Sequence, residues 1–213
     1  MSDTELELAR LWHLLRERLA TGQLLEGIAP ALSLRVPGTD AMWFGEIDDQ
    51  EPSRTSWQNY PGVASAVAIH SRVYAARDDV CAVATGGGRF GLALADFGGT
   101  MPGVFDEQVR HLGRMPPPAI THELPRALAL KGNVLLVNRQ PLVMGMTGAR
   151  LALNAELFEK CAKAYVLATA SAGRVKPLPW IVRYVANRRL ARDEGRARLR
   201  VLQGLLPEES KGY

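Results

Sequence analysis

The amino-acid sequence predicts an α/β protein with a mixed, mainly antiparallel sheet and helices on both faces. Some segments place apolar residues three and four apart, as helices do, and others alternate, as strands do. Two pairs of strand segments are joined by short turns, which favours antiparallel pairing. Helix and strand segments neither alternate strictly nor fall into separate blocks. With 213 residues at 47% hydrophobic composition, the chain is long enough for one substantial core, and we predict one domain over 1–213.

The first predicted elements are a helix, a hairpin and a second helix. Residues 6–19 carry an apolar stripe at helical spacing. Residues 31–36 alternate as a strand does, and 41–45 are its predicted hairpin partner across a Pro-Gly turn. The polar segment 48–60 contains a proline and is predicted to be a loop, and 63–77 has the pattern of a helix.

The second half of the chain is predicted to end in two long helices. The elements before them are a strand at 80–84 running into a small-residue loop, a helix at 91–97, a helical turn at 105–112, a short strand at 119–121, a helix at 124–130, and an antiparallel pair at 133–137 and 142–145 around the turn 138–141. Thr147 can cap the helix that follows, because its hydroxyl can satisfy a free N–H group there. Its predicted inward face is Leu151, Ala155, Phe158, Ala162, Tyr165 and Thr169. A basic helix at about 178–203 comes last.

Charge and composition limit the classes of function. The formal net charge of +4 permits an anionic ligand without requiring nucleic acid. The arginines of the last helix fall on several of its sides and are interrupted by Asp193 and Glu194, so we expect a solvated or oligomer-contacting helix. No apolar run is long enough to cross a bilayer, and no secretory signal is visible. Cys81 and Cys161 lie in apolar patterns, which predicts buried, reduced thiols and a cytoplasmic protein.

Four sequence blocks occur in an order that is typical of one known family. They are the segment at 25–38 with its Ser-x-Arg, the pattern His-x-x-x-Tyr-x-x-Arg at 70–77, the strand at 133–138, and Met-Gly-Met-Thr at 144–147 with the later Glu159. Together they resemble the class II aldolase/adducin family, which includes the fuculose-phosphate aldolases, over roughly residues 6–173. The resemblance implies a three-layer α/β/α sandwich and a homo-oligomer, with a tetramer as the usual assembly.

The residues that carry the family's chemistry are replaced in this sequence. Family enzymes cleave or epimerise sugar phosphates, and a zinc ion stabilises the enediolate as negative charge develops on the ketone oxygen. The resemblance places the three zinc-binding histidines at Thr85, Gly87 and Arg139, and the acid/base glutamate at Ala66. Glycine and arginine side chains cannot ligate zinc, and a lone threonine hydroxyl is a poor ligand. The family's Gly-Asn phosphate loop is Pro30-Ala31 here, and proline has no N–H to offer an anion. We therefore predict no metal and no cofactor.

Candidate ligand-binding residues lie around the cleft that the missing zinc would vacate. Arg139 could hold a carboxylate or phosphate there through two hydrogen bonds, although an arginine on a tight turn can equally be solvated or paired at the surface. The histidine of the second block, His70, is expected to be structural. The full predicted set is Ser33, Arg35, Thr85, Gly86, Gly87, Asn138 and Arg139.

A glycine pattern offers a different hypothesis for the same loop. Gly86, Gly88 and Gly91 formally match a dinucleotide fingerprint between a strand and a helix, where N–H groups could bind a phosphate. The surrounding elements do not alternate as βαβ, which argues against dinucleotide binding. The favoured interpretation is that these small residues fill a vacated metal pocket.

The sequence favours a non-catalytic protein of this family that binds a partner or a small anionic ligand. The alternative is a metal-independent lyase or epimerase-like enzyme that acts on a small sugar phosphate or carboxylate, with Arg139 polarising a carbonyl in the same cleft.

Overall fold

A computed structural model describes residues 3–58 and 65–209. Its centre is one six-stranded sheet in the order β3-β2-β1-β4-β6-β5. The strands are β1 Glu26–Arg35, β2 Ala41–Glu46, β3 Ser53–Ser56, β4 Ala82–Gly87, β5 Val134–Val137 and β6 Gln140–Gly145. All pairings between these strands are antiparallel. The described residues add one parallel contact, an isolated bridge between Ala119 and Val137.

Helices cover both faces of the sheet. They are α1 Asp3–Thr21, α2 Ala66–Ala76, α3 Arg89–Ala93, α4 Asp106–Leu112, α5 Leu124–Leu128, α6 Gly148–Ala170 and α7 Trp180–Leu202. Strand residues alternate between two hydrophobic clusters, because successive side chains of a strand point to opposite faces. Ala82 and Ala84 pack in the cluster that contains α1 and α6, whereas Val83 packs in the cluster that contains α2 and α5. The predicted α/β class and three-layer architecture are confirmed.

Several predicted boundaries differ from the structure. The predicted loop at 48–60 contains the edge strand β3, which pairs with β2 through its backbone while its polar side chains stay largely exposed, so no apolar alternation marked it. Residues 59 and 60 of that loop, and 63 and 64 of the predicted helix at 63–77, lie outside the described residues. The predicted strand at 119–121 is reduced to the bridge at Ala119. Thr169, predicted to face inward from α6, is exposed.

Local chemistry starts the second and sixth helices. The Ser65 side chain accepts a hydrogen bond from the N–H of Ala68 at the start of α2. Thr147 accepts from the N–H of Arg150 at 3.0 Å, as predicted for the start of α6. Each cap satisfies one of the N–H groups that have no partner within the helix.

Both cysteines are buried and unpaired with each other. Burial raises the pKa of the Cys81 thiol to about 12, and burial likewise raises the pKa of Cys161 to about 12. Both side chains therefore remain protonated thiols at neutral pH, and a thiol is a far weaker nucleophile than a thiolate. No helix among the described residues is long and apolar enough to span a membrane.

A buried polar cluster attaches α7 to the rest of the fold. The Arg77 guanidinium donates to both carboxylate oxygens of Asp79, at 2.8 and 2.5 Å, and to Asn133 Oδ1 at 3.0 Å. Glu194 of α7 lies 3.5 Å from the same guanidinium and accepts from Asn133 Nδ2 at 3.3 Å. Burial raises the pKa of Glu194 to about 7, and the nearby Arg77 charge offsets only part of that increase.

Replacing Glu194 by Gln should change how stability depends on pH. Because the folded pKa of Glu194 lies above its ordinary value, its favourable contribution is complete below the unfolded pKa, near 4.5, and is lost as pH rises through about 7. Glu194→Gln keeps an acceptor oxygen and removes this titration, so it should gain stability over the wild type between pH 5 and pH 8. The gain should be on the order of 2 kcal/mol at the upper end.

Urea unfolding at several pH values measures this effect. Glu17→Gln, on the exposed side of α1, is the matched control and should follow the wild type. A Glu194→Gln stability curve parallel to that of the wild type would contradict the prediction.

Candidate functional site

A small cleft opens where β1, α2, β4 and the β5–β6 turn meet. We call it the central cleft. Its volume is about 200 Å³. Its lining combines the apolar residues Ile28, Ile69 and Val137 with small and polar ones, which include Ala29, Ser65, Ala66, Thr85, Asn138 and Gln140. Two predicted site residues, Thr85 and Asn138, therefore lie at the cleft, together with Ala66.

The cleft rim contains backbone in the left-handed region. The β1–β4 register shifts between Glu26 and Ala31, and within this bulge Gly27 has φ 119° and Ala29 has φ 49°. Ile28 is exposed there, and its N–H donates to Gln140 Oε1 at 2.9 Å. A bulge of this kind bends the strand and re-aims its side chains. An alanine at positive φ is strained, so the packing around it must impose that conformation.

Asn138 and Arg139 form the two-residue turn between β5 and β6. Val137 pairs with Gln140, and both turn residues have positive φ, 49° for Asn138 and 68° for Arg139. Two positive φ values in a two-residue hairpin are typical of a type I′ turn, in which asparagine is favoured. The turn directs Arg139 away from the cleft lining. Its side chain is 67% exposed and pairs with Asp96 at 2.5 Å.

A buried hydrogen-bonded chain lies directly behind the cleft. Thr85 Oγ1 bonds His70 Nε2 at 3.3 Å, His70 Nδ1 bonds Ser33 Oγ at 2.8 Å, and Ser33 Oγ bonds the Tyr74 hydroxyl at 2.9 Å. Burial lowers the pKa of His70 to about 3, so the imidazole is neutral at physiological pH. Burial also raises the pKa of Tyr74. Both imidazole nitrogens are engaged, and the chain joins α2 to β1 and β4.

Ser33 and Arg35 belong to the interior and do not line the central cleft. Ser33 is fully buried in the hydrogen-bonded chain described above, and Arg35 is only 4% exposed. The Arg35 guanidinium lies 4.9 Å from the Tyr74 ring centre and 5.3 Å from that of Trp57, and it donates to the carbonyl of Arg77 at 3.1 Å. These contacts give Arg35 a structural role in holding α2 against the sheet.

Gly86 and Gly87 are strand residues of β4, not the loop predicted from the sequence. Gly86 has φ 101°, and a Cβ there would lie 2.8 Å from the Glu26 carbonyl oxygen. A Cβ on Gly87 would lie 2.6 Å from Pro141 Cγ. Neither position has room for a side chain, so the end of β4 is defined by close packing against neighbouring strands.

The residues at the expected metal positions do not fit zinc. The Thr85 hydroxyl is bonded to His70, Pro141 fills the space beside Gly87, and Arg139 is paired outside the cleft. Within 3–58 and 65–209, no three or more His, Cys, Asp or Glu side chains are grouped so that they could hold a metal ion. A structural or catalytic zinc site needs at least three protein ligands, and Glu46 is the one Cys, His, Asp or Glu among the described residues that line this cleft.

The glycine pattern at 86–91 has an internal carboxylate where a nucleotide phosphate would bind. Glu159 of α6 accepts hydrogen bonds from the N–H groups of Phe90 and Gly91, each at 2.8 Å. A Cβ on Gly88 would lie 2.5 Å from the carboxyl carbon of Glu159. Gly88 is therefore needed for this close approach. The Glu159 carboxylate occupies the N–H groups at the start of α3 that a nucleotide phosphate would bind. No sequence pattern indicated this role for Glu159, which lies 68 residues from Gly91.

Several solved structures share this architecture. The crystal structure of YgbL from Escherichia coli, a putative aldolase/epimerase/decarboxylase, has a TM-score of 0.71 at 18% identity over 87% of this chain and 100% of that chain. This chain therefore shares its fold with that structure. The L-fuculose 1-phosphate aldolase of Glaciozyma antarctica PI12 has a TM-score of 0.68 at 17% identity, covering 98% of this chain and 96% of that chain.

An aldolase II superfamily protein from Pseudomonas syringae matches equally well, with a TM-score of 0.68 at 18% identity over 98% of each chain. No family model matches this chain, and no curated protein sequence matches it. The likeness therefore lies in the three-dimensional structure at low sequence identity, and it shows a shared fold.

The close packing of Gly87 against Pro141 can be tested with a double-mutant cycle. Gly87→Ala should destabilise the protein by about 1–3 kcal/mol, because the added methyl group overpacks the contact. Combining it with Pro141→Ala, which removes Cγ, should recover part of that loss. Thermal and urea unfolding of the four proteins gives the coupling energy.

Gly195→Ala provides the control for this cycle. A Cβ at that position in α7 meets nothing within 4 Å, so the substitution should be neutral or slightly stabilising. Strictly additive effects of Gly87→Ala and Pro141→Ala would contradict the packing described here.

Proposed function

We propose that this protein is a non-catalytic relative of the class II aldolases that binds a small anionic ligand. The observation that carries the proposal is the packing of Pro141 into the space where a metal ligand at position 87 would project. A zinc-stabilised enediolate requires a cation beside the substrate oxygen. The other two expected ligand positions, Thr85 and Arg139, have partners of their own.

The scarcity of proton-transfer groups among the described residues that line the central cleft supports the same proposal. Ala66 lines the cleft where the family's acid/base would lie, and alanine can transfer no proton. Glu46 is the one carboxylate among the described residues that line the cleft, and it is exposed. His70 is close by, but burial lowers its pKa to about 3 and both of its nitrogens are engaged.

Support for an anionic ligand comes from a second and larger cleft. It lies between the start of α6 and the last turns of α7, and its volume is about 700 Å³. Arg150, Arg196 and Arg200 line it, so we call it the arginine cleft. Asp193, Glu208 and Glu209 line it as well, and each pairs with one of these arginines. Guanidinium groups bind carboxylates and phosphates with two parallel hydrogen bonds. The central cleft, in contrast, has no lysine or arginine among its described lining residues.

A metal-independent enzyme is the second candidate, and strain at the central cleft favours it. Ala29 and Asn138 both line this cleft at positive φ, and strained backbone often accompanies active sites. In the form suggested by the sequence, Arg139 would polarise a carbonyl there. Its ion pair with Asp96 leaves that role without support from the described contacts.

Metal analysis and ligand screening test the proposed function. Protein purified without chelator should contain no stoichiometric zinc, manganese or iron, and EDTA should leave its Tm unchanged. It should also fail to cleave sugar phosphates when divalent metal is added. One tightly held metal ion per chain, or metal-stimulated cleavage, would contradict the proposal.

The same protein should be stabilised by an anionic ligand in a thermal-shift screen of sugar phosphates and small carboxylates. If a ligand raises the Tm of Arg139→Ala as much as that of the wild type, ligand binding does not depend on Arg139. That result would support the binding protein over the enzyme in which Arg139 polarises a carbonyl. If no compound raises the Tm, partner binding becomes the favoured form of a non-catalytic role.

We also propose that the protein assembles with copies of itself through the start of α7. Trp180, Ile181 and Tyr184 are each more than half exposed there, and clustered apolar side chains on a surface often mark an interface. The buried, unpaired thiols of Cys81 and Cys161 support a cytoplasmic location.

Sedimentation equilibrium tests the proposed assembly. Trp180→Ser combined with Ile181→Ser should lower the mass of the particle, because the apolar contact between copies is lost. Leu14→Ser, at an exposed leucine of α1, is the matched control and should retain the wild-type mass. A monomeric wild type would overturn the assembly proposal.

A further inference from the structure

The segment 205–209, which follows α7, folds back across the arginine cleft. Gly204 has φ 74°, and the Leu205 N–H donates to the Arg200 carbonyl oxygen at 2.9 Å, so the chain reverses direction at the end of the helix. Leu206 then packs against the hydrophobic core, and its carbonyl accepts from Arg200 Nε at 2.8 Å. The reversal places two consecutive carboxylates, Glu208 and Glu209, at the cleft lining.

Glu209 is bound as a ligand carboxylate would be. Arg150 donates to its Oε1 from Nε, at 2.8 Å, and from a terminal nitrogen, while the Thr147 hydroxyl donates to Oε2. Thr147 is the N-cap of the long helix α6, so the positive end of that helix also faces the carboxylate. Two guanidinium donors, a hydroxyl and a helix start form an arrangement that suits any planar or tetrahedral oxyanion.

Arg150 is held rigidly in this position. The residue is only 5% exposed, and its other terminal nitrogen donates to His111 Nδ1 at 2.8 Å. Burial and the positive charge of Arg150 lower the pKa of His111, which keeps the imidazole neutral and able to accept this bond. A buried, pre-oriented guanidinium loses little conformational entropy when it binds an anion.

Glu208 occupies a second anchoring point in the same cleft. Its carboxylate lies 3.1 Å from an Arg200 terminal nitrogen. Its side chain is 78% exposed, and that of Glu209 is 41% exposed. The Arg200–Glu208 pair is exposed and contributes little to stability, whereas Glu209 is held by Arg150, whose side chain is only 6% exposed. Because both carboxylates reach solvent, an external anion can compete for the groups that hold them.

We propose that the arginine cleft is a binding site for a small molecule with two anionic groups, and that segment 205–209 is an internal occupant which this ligand displaces. One anionic group replaces Glu209 at Arg150 and Thr147, and the other replaces Glu208 at Arg200. The inference rests on the proposed binding function and names its site and ligand class. Because the segment competes with the ligand, the affinity of the intact protein is reduced by the fraction of molecules with an open cleft.

Isothermal titration with pyrophosphate, in buffer without divalent metal, measures this competition. Pyrophosphate serves as the probe because it has two linked anionic groups. Glu208→Gln/Glu209→Gln should bind it at least about tenfold more tightly than the wild type, since the internal anions are removed. The matched control is Glu51→Gln/Glu156→Gln, which removes the same number of charges from surface ion pairs with His13 and Arg18 and should bind like the wild type.

Two arginine variants in the Glu208→Gln/Glu209→Gln background locate the site. Arg200→Gln should abolish the gain in affinity, because the second anionic group loses its partner. Arg139→Gln changes an exposed arginine at the β5–β6 turn and should retain the gain. Hydrogen exchange of the peptide that spans 203–209 in the wild type should accelerate when pyrophosphate binds, because the segment is released.

Equal affinity of the wild type and Glu208→Gln/Glu209→Gln would overturn the inference, as would an equal gain in the Glu51→Gln/Glu156→Gln control. Unchanged hydrogen exchange at 203–209 on binding would overturn displacement. These outcomes are distinct from failure of the proposed function, which would be recognised by bound metal, by metal-stimulated cleavage of sugar phosphates, or by the absence of any stabilising anion in the thermal-shift screen.

Discussion

The crowding around the end of β4 is the constraint on which the functional interpretation depends. Gly86 and Gly87 lie so close to Glu26, Pro30 and Pro141 that a side chain at either position would collide with a neighbour. In the same strand Thr85 points to the opposite face from Gly86 and is tied to His70. The edge of the cleft where an ion would need ligands is therefore made of backbone, proline and one engaged hydroxyl.

Oxyanion-binding groups that the fold creates are occupied by the chain's own carboxylates in two places. Glu159 accepts from the first N–H groups of α3, and Glu209 is held at the start of α6 by Thr147 and Arg150. In the first case the carboxylate comes from the middle of a long helix, so it is fixed in place. In the second it comes from a segment without helix or strand whose glutamates reach solvent, which is why we propose that a ligand replaces it. The difference in anchoring makes one a structural contact and the other a candidate binding site.

The sequence predicted most of the fold because alternation and helical spacing record which side of each element is buried. The strand β1 and the long helices α1 and α6 carried that signal, whereas β5 and β6 were predicted as a pair around the turn 138–141 and α7 as a basic helix. β3 carried no such signal, because an edge strand held by backbone bonds needs no apolar side chains. The candidate site was harder to predict. Whether Arg139 turned into the cleft or away from it depended on two positive φ values in its turn, and the partners of Glu159 and Glu209 lie far away in sequence.

The two cysteines give this fold an intrinsic reporter of its own opening. Cys81 follows the Arg77–Asp79 pair at the start of β4, and Cys161 lies against the core on α6, so they belong to different layers. Their raised pKa values and burial make them unreactive while the layers are closed. A thiol reagent could therefore label either cysteine only after a helical layer has separated from the sheet. The labelling rate of each cysteine would then report how often the layer that covers it opens.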